Sequence, residues 1–353
     1  MTILDRYIAR TIVSGTLMIL LVLGSLLAFV DFVSEIGNVG KGQYTIVNAI
    51  SYVLLSLPKR LYEIFPTAVL LGSLLSLGTL ASNSELIVFR ASGISIMRIV
   101  RSVLQAGLIV VALVALIGEV VVPGSERQAQ TIRAVALKQN ISLGQHGFWA
   151  KDSQLYINVG RVYPDYQLGN LAIYELDENK QLKQLIHAKS AHYKNGSWLL
   201  KNVQRTQLLG DSIISDQLKV LERPKVLNPD LFNIVSVKPT TMSALDLYRY
   251  SNYLRTNDLD ASHYLLAFWI KVMTPLSSMV MLLIALPFVF GSQRSTGSGY
   301  RVLVGLLLGI GFFMLNRTVN HLGQIYGLHP FVSASAPVIL VAIAGIFAIR
   351  KVK

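Results

Sequence analysis

Long runs of apolar residues, rather than amphipathic stripes, dominate the pattern of this chain. Six runs are long enough to cross a bilayer, because a transmembrane helix needs about 20 mostly apolar residues. They are Thr11–Ile36, Ile50–Leu80, Ile99–Val122, Tyr264–Phe290, Val302–Asn320 and Phe331–Ile349. The first follows two arginines, as the core of a signal peptide would, but it is too long and no clear small-residue cleavage site follows it. The pattern predicts an α-helical membrane protein with six transmembrane helices, the first a retained anchor.

A different pattern occupies the stretch between the third and fourth runs. Gln154–Val162 and Asn170–Leu176 alternate or cluster strand-forming residues, and Asn195-Gly196 is a hairpin signal between His187–Tyr193 and Trp198–Gln207. Short strands separated by turns are typical of a sandwich or a jellyroll. The sequence predicts an inserted all-β domain of this kind.

Helical segments are expected at both ends of the insertion. Ser125–Gln139 would extend the third membrane helix outward, and Ser243–Arg255 would return the chain to the bilayer with Ser243 as a possible N-cap. The predicted domains are therefore residues 1–122 with helices one to three, 123–262 with the β-jellyroll, and 263–353 with helices four to six.

The positions of lysine and arginine predict the topology, because basic residues accumulate in short cytoplasmic segments. One side would hold Arg6, Arg10, Arg90, Arg98, Arg101, Arg294, Arg301, Arg350, Lys351 and Lys353. The short loops of the other side have Lys41 and no basic residue between His321 and Phe331. Both termini are expected in the cytoplasm and the β domain in the periplasm of a Gram-negative cell, with the helices in the inner membrane.

Composition agrees with lipid as the solvent, since 52% of the residues are hydrophobic and 14% are charged, against about 25% charged in a typical soluble domain. The net charge is +13. Outside residues 123–262, 15 Lys and Arg stand against 6 Asp and Glu, so +9 of that excess surrounds the apolar runs. This distribution favours membrane topology and anionic lipid over nucleic acid as its cause.

Sequence motifs for catalysis are missing. The glycine-rich stretch Gly37–Gly42 does not fit a phosphate-binding loop, and neither a GxSxG nor an HExxH pattern occurs. The six histidines show no metal-ligand spacing, and the chain has no cysteine. We therefore expect a chain with no catalytic residue, no metal site and no cofactor of its own.

A short helix is predicted between the second and third runs, at about residues 83–93. Asn83 or Ser84 can cap it, Glu85 suits its N-terminus, and Gly93 can end it. Its apolar residues, Leu86, Ile87 and Phe89, would otherwise lie in water. Two interpretations remain open: the helix lies on the lipid headgroups, or it docks into a groove on a cytoplasmic partner and transmits motion.

Charged residues at membrane depth are the second functional signal. Lys59, Arg60, Glu63, Glu119, Lys271 and Arg317 all fall toward the outer leaflet in the predicted topology. A charge inside the bilayer costs several kcal/mol, so such residues snorkel, pair or face a cavity. Either the basic groups snorkel and pair with Glu63 or Glu119, or they form a rim that binds a phosphorylated amphiphile.

Four stretches carry a resemblance to a known family. They are Leu4-Asp5-Arg6-Tyr7-Ile8, Ser84–Val88 with Ala91-Ser92-Gly93, Gly147–Asp152, and Phe290–Ser295. In this order and spacing, the chain resembles the lipopolysaccharide-export permeases of the LptF/LptG family, and their LptG-like members more closely. The likeness covers essentially the whole chain, including the 3+3 helices and the insertion.

The resemblance implies a noncatalytic permease subunit of an ABC transporter that draws lipopolysaccharide from the outer leaflet of the inner membrane onto a periplasmic bridge. The implied partners are an LptF-like permease, two copies of an LptB-like ATPase that uses ATP and Mg, and an LptC-like protein with one membrane helix. The implied coupling residues are Glu85, Leu86, Phe89, Arg90 and Gly93. The resemblance places Lys59 and Arg133 at substrate-contacting basic positions, and depth adds Arg60, Lys271 and Arg317 as candidate ligands of the lipid A phosphates.

Two other function classes fit a six-helix membrane protein. An ion-driven secondary lipid transporter would need paired acids near the middle of the membrane, which the sequence does not show. A membrane-anchored scaffold for periplasmic partners would tolerate charge reversal at Lys59 and Arg317.

Overall fold

The computed structural model describes residues 3–137, 148–152, 154–163, 167–177, 181–194, 196–209, 212–224, 239–290 and 298–350. The α-helices in these ranges are α1 (Ile3–Ile36), α2 (Ile46–Ser82), α3 (Glu85–Ala91), α4 (Ile96–Leu116), α5 (Val122–Ala136), α6 (Ala244–Thr256), α7 (Ser262–Phe290), α8 (Ser298–Ile325) and α9 (Pro330–Arg350). The strands are β1 (Phe148–Asp152), β2 (Leu155–Tyr163), β3 (Gln167–Leu176), β4 (Leu182–Lys194), β5 (Ser197–Leu209) and β6 (Ser212–Arg223). A π-helical turn (Ile117–Val121) joins α4 to α5, and a 3-10 turn (Pro239–Thr241) precedes α6.

Among the described residues, six helical segments are long and apolar enough to span a membrane, which confirms the six predicted spans. They are Ile3–Ile36, Ile46–Ser82, Met97–Ala136, Ser262–Val289, Val302–Ile325 and Pro330–Arg350. The third is longer than its apolar run because the chain continues through the π turn into the polar α5. This continuation was expected from Ser125–Gln139.

Helix α2 is the central element of the bundle. Its most apolar window is 72% buried, against 17% for the corresponding windows of α1 and α8. Helix α1 crosses it at very short range, since a side chain added at Gly72 would lie 2.6 Å from the backbone of Thr16. Small residues permit such a crossing, and close van der Waals packing is what holds helices together in lipid.

The insertion contains a six-stranded antiparallel sheet in the order β1-β2-β3-β4-β5-β6. An inserted all-β domain is thus confirmed. The predicted hairpin is also present: Lys194 pairs with Ser197, and Gly196 has the positive φ of 85° that its tight loop requires. The described strands form a simple meander, and the crossovers that distinguish a jellyroll do not occur among them.

The core of the β domain joins the sheet to the returning chain. Trp198, Ile157 and Leu171 are fully buried, and Leu247 and Tyr250 of α6 pack in the same cluster. The N-terminal end of α7 adds Tyr264 and Phe268 to its edge. Helix α6 is N-capped by Ser243, as predicted, since its hydroxyl oxygen accepts a bond from the N–H of Asp246. This helix therefore belongs to the sheet's core and borders the membrane bundle.

Candidate functional site

A cavity of about 430 Å³ lies among α2, α7 and α8, and the segment before α6 closes one side of it. Apolar groups, including Val122, Ile270 and Phe313, line it together with polar ones. Its basic lining residues are the predicted cations Lys59, Arg60, Lys271 and Arg317. The fifth predicted cation, Arg133, is not among its lining residues.

Acidic partners already hold three of these four cations. The Lys59 ammonium lies 3.6 Å from the carboxylate of Glu126, whose side chain is 4% exposed. Arg60 makes a two-pronged contact with Asp31 through hydrogen bonds of 2.8 and 3.0 Å. Arg60 also lies 3.6 Å from Glu63. One of the two open interpretations was that the basic groups pair with Glu63 or Glu119. Arg60 does pair with Glu63.

Lys271 is the third paired cation. Its ammonium lies 3.6 Å from Glu119, the partner that the pairing interpretation named, and only 12% of its side chain is exposed. It also donates a hydrogen bond to the backbone carbonyl of Met242, which precedes α6. Lys271 thus faces the cavity while it is bound to the segment that closes the cavity.

Arg317 differs from the other three cations. It lies on α8, its side chain is exposed, and it makes no ion pair with any residue that the structure describes. The other three cations are already matched by acids, because Lys59 faces Glu126, Arg60 faces Asp31 and Glu63, and Lys271 faces Glu119. An anionic ligand would gain most from Arg317, since contact there displaces no carboxylate.

Arg133 occupies a different site, at the junction of α5 with the end of α1. Its guanidinium donates a 2.8 Å hydrogen bond to Glu35 and stacks over the ring of Tyr52 at 5.3 Å. Tyr44 lies beside the pair, where burial, and then the Glu35 carboxylate, raise the pKa of its hydroxyl. Through these contacts Arg133 stabilises the junction of α5 with the end of α1. Its role in phosphate binding stays a prediction.

Only some of the carboxylates that pair with these cations were named from the sequence. Asp31 and Glu35, at the end of the first apolar run, are both paired with arginines. Glu126 was not singled out. Its distance along the chain from Lys59 gives no pairing signal, because the contact depends on how α2 and α5 are rotated about their axes.

The predicted coupling helix is present as α3 (Glu85–Ala91). Gly93 ends it with φ of +85°, and the N–H of Ile94 bonds to the carbonyl of Phe89 across the end of the helix. Capping is less regular than predicted: Asn83 ends α2 instead, and Ser84 adopts a positive φ of 63°.

The side chains of α3 divide between two faces. Leu86 is 2% exposed and Phe89 packs against the same cluster of the bundle. Ile87 and Val88 are 48% and 58% exposed. Glu85 accepts a 2.7 Å hydrogen bond from the hydroxyl of Tyr7 on α1. The apolar surface that α3 offers outward is therefore formed by Ile87 and Val88, and neither is among the five coupling residues that the resemblance implies.

Comparison with known proteins gives one consistent assignment. The family model for the lipopolysaccharide export system permease LptF/LptG matches residues 6–351. The permease protein LptG of Escherichia coli K12 is 37% identical over 339 residues, which cover 95% of this chain and 94% of that protein. LptG of Haemophilus influenzae is 36% identical over 340 residues, covering 96% and 95% of the two chains.

The match spans both halves of the helical bundle and the inserted sheet, as the four stretches of sequence had predicted. The chain belongs to the LptF/LptG family of lipopolysaccharide export system permeases.

Proposed function

We propose that this chain is the noncatalytic, LptG-type permease subunit of an ABC transporter. It takes lipopolysaccharide from the outer leaflet of the inner membrane and passes it to a periplasmic bridge toward the outer membrane. The observation that carries the proposal is the cavity among α2, α7 and α8, where Arg317, which has no ion pair with any described residue, lies beside apolar side chains and three paired cations. An amphiphile with a phosphorylated headgroup requires both features.

The orientation that we propose has both termini in the cytoplasm and the sheet in the periplasm. The short segments beside Arg6, Arg98 and Arg350 carry most of the basic residues, as cytoplasmic segments do. This orientation supports the proposal because it puts the cavity at the outer leaflet and α3 at the inner surface.

The proposed complex contains an LptF-like permease, two LptB-like ATPases and an LptC-like protein. The ATPases would bind ATP and Mg, and this chain would bind neither. Helix α3 supports an ATPase contact, since Ile87 and Val88 leave an apolar surface next to Glu85. The paired acids that an ion-driven transporter needs near the middle of the membrane are not found among the described residues, where Asp31, Glu35, Glu119 and Glu126 each contact a basic group.

The test is the amount of lipopolysaccharide that co-purifies with the assembled complex. We expect Arg317→Glu to lower this amount about tenfold or more, because a charged hydrogen bond to a partly desolvated phosphate contributes roughly 1.5–3 kcal/mol. Arg161→Glu is the matched control, since Arg161 is an exposed arginine on β2, and it should leave the amount unchanged. Lys59→Gln should lower it less, because Lys59 already binds Glu126.

Complex yield and ATPase activity are measured in parallel, so that loss of substrate is distinguished from loss of assembly. Wild-type levels of lipopolysaccharide in Arg317→Glu, in Lys59→Gln and in the double variant would remove the cavity as the substrate site. They would instead favour a scaffold that tolerates charge changes there.

A further inference from the structure

An acidic residue of the membrane bundle, Glu119, is bonded directly to the start of a helix in the β domain's core. It lies in the π-helical turn Ile117–Val121. Such turns carry one extra residue and often occur at functional sites. The neighbouring Gly118 lets this turn approach α2, because a side chain there would lie 2.4 Å from the ring of Tyr62.

The two carboxylate oxygens of Glu119 accept hydrogen bonds from the first backbone N–H groups of α6. The distances are 2.8 Å to Ala244 and 3.3 Å to Leu245. These N–H groups have no partner within the helix, and the N-terminus of a helix favours negative charge. Glu119 therefore caps α6 from outside the helix, 125 residues away in sequence.

Lys271 completes the arrangement from the cavity side. Its ammonium is 3.6 Å from Glu119 and donates to the carbonyl of Met242, which is 3% exposed and lies just before α6. Lys271 is held in place in turn, since the hydroxyl of Tyr62 donates a 3.1 Å hydrogen bond to its backbone carbonyl. One ammonium group thus faces the cavity and binds two groups that fix the start of α6.

Movement at the start of α6 would reach the sheet. Leu247, Tyr250 and Leu254 of this helix are 5% exposed or less and belong to the same core cluster as Ile157 and Trp198 of the strands. The segment before α6 also supplies Pro239 and Thr240 to the cavity wall. The cavity and the β domain therefore share one short piece of chain.

We propose that Glu119 is a positioning residue that makes the placement of the β domain depend on whether the cavity is occupied. The inference rests on the proposed function, since it takes the ligand to be a phosphorylated amphiphile. A phosphate beside Lys271 carries more charge than one carboxylate and competes for the ammonium. When Lys271 turns to the phosphate, the Met242 carbonyl loses its donor and Glu119 loses its cation, so the contacts that hold the start of α6 weaken.

The proposal predicts opposite changes in the affinity for lipopolysaccharide in two variants. Lys271→Met removes a ligand of the phosphate, so lipopolysaccharide binding weakens. Glu119→Gln removes the internal competitor for Lys271, so half-occupancy is reached at a lipopolysaccharide concentration roughly two- to fivefold lower, a range that suits an ion pair whose acidic side chain is 39% exposed to solvent. A purely structural role of Glu119 predicts no gain in affinity.

The movement is measured by the distance between spin labels at Arg249 and Tyr326 in the complete transporter complex in lipid nanodiscs. Both side chains are exposed, one on α6 and the other just after α8, and the chain contains no native cysteine. The probe is purified lipopolysaccharide, with a dephosphorylated preparation alongside. We expect the wild-type distance to shift with lipopolysaccharide and much less with the dephosphorylated form.

Three variants make the test specific. Glu119→Gln should show the shifted distance without ligand and no further response, whereas Glu119→Asp, which keeps the carboxylate, should respond as the wild type does. Asp216→Asn is the matched control, since it removes an acid–base pair with Arg205 on the sheet, whose hydrogen bond is 3.0 Å, and leaves the cavity intact. It should respond normally.

An unchanged wild-type distance at proven lipopolysaccharide occupancy would overturn the role of Glu119 and leave the proposed function standing. A Glu119→Gln variant that responds normally would overturn it as well. Absence of lipopolysaccharide binding by the wild-type complex would instead overturn the proposed function and, with it, this inference.

Discussion

Buried carboxylates at the ends of the membrane helices are each matched to one basic side chain. Asp5, Glu35 and Glu126 are 2%, 5% and 3% exposed, and their partners are Arg98, Arg133 and Lys59. Taking a charge out of water costs several kcal/mol, so loss of one partner is more damaging than replacement of both by apolar groups. Charge at membrane depth in this protein therefore contributes first to stability, and a paired cation can bind substrate only by giving up its carboxylate.

At this scale, Arg133 provides a clear test. Arg133→Met should lower the stability of the complex by about 1–3 kcal/mol, because the buried Glu35 carboxylate loses its hydrogen-bonding cation. The double variant Glu35→Gln, Arg133→Met should recover part of the loss, since no charge is then left buried. The measurement is the melting temperature of the purified complex, with bound lipopolysaccharide determined in the same samples.

Arg317→Met is the matched control for Arg133→Met, and it should do the reverse: lower bound lipopolysaccharide at an unchanged melting temperature. If Arg133→Met instead lowered bound lipopolysaccharide while the melting temperature stayed constant, the substrate role implied by the family resemblance would be correct for this residue.

Among the elements, α3 is the one whose position could be predicted from the sequence but whose outward-facing residues could not. Its position, its end at Gly93 and its apolar character follow from local rules of propensity and capping. Which residues of α3 face outward does not follow from these local rules, because Leu86 and Phe89 turn toward the bundle only once α1 and α2 have packed. The contact of Lys59 with Glu126 cannot be predicted from the sequence for the same reason, because it depends on packing. The six spans, in contrast, follow directly from the length of their apolar runs.

Substitutions on the two faces of α3 should have different consequences. Ile87→Asp and Val88→Asp should each weaken ATPase docking about tenfold or more, because burying one such apolar side chain at an interface contributes roughly 1.5–3 kcal/mol. Leu86→Ala should instead destabilise the permease by about 2–5 kcal/mol, the usual cost of truncating a buried leucine. ATPase co-purification and melting temperature of the complex separate the two effects.

The matched control is Leu328→Asp, a similar change at a half-exposed residue between α8 and α9, at the other end of the bundle. It should leave ATPase co-purification intact. Normal docking in both Ile87→Asp and Val88→Asp would favour the other interpretation of α3, a helix that lies on lipid headgroups.

For the whole molecule, the uneven burial of the spans indicates where other chains can bind. The apolar windows of α1 and α8 are 17% buried, and that of α9 is 33% buried. Lipid could cover all three helices. The family resemblance, however, implies that the first and fifth spans, α1 and α8, flank the contact with an LptF-like partner. A cavity beside α8 would then lie next to a seam that substrate can cross.

The prediction is that α1 and α8 form this moving seam. A photo-crosslinking residue at Leu21 on α1 or at Met314 on α8 should capture another subunit, because these side chains are 73% and 64% exposed. At Ile343 on α9, which is 63% exposed, it should capture lipid only, and this position is the control.

Cysteine pairs placed across the contact by this crosslinking map should then block export when oxidised, and reduction should restore it. The chain contributes no native cysteine to the background, so each crosslink is assigned to the introduced pair. Transport must be followed in the same sample as crosslinking yield, because a seam that opens to admit a multi-acyl lipid cannot do so while a disulfide holds its two helices together. Full export from completely crosslinked complexes would show that substrate enters elsewhere, and the cavity beside α8 would then need a different entrance.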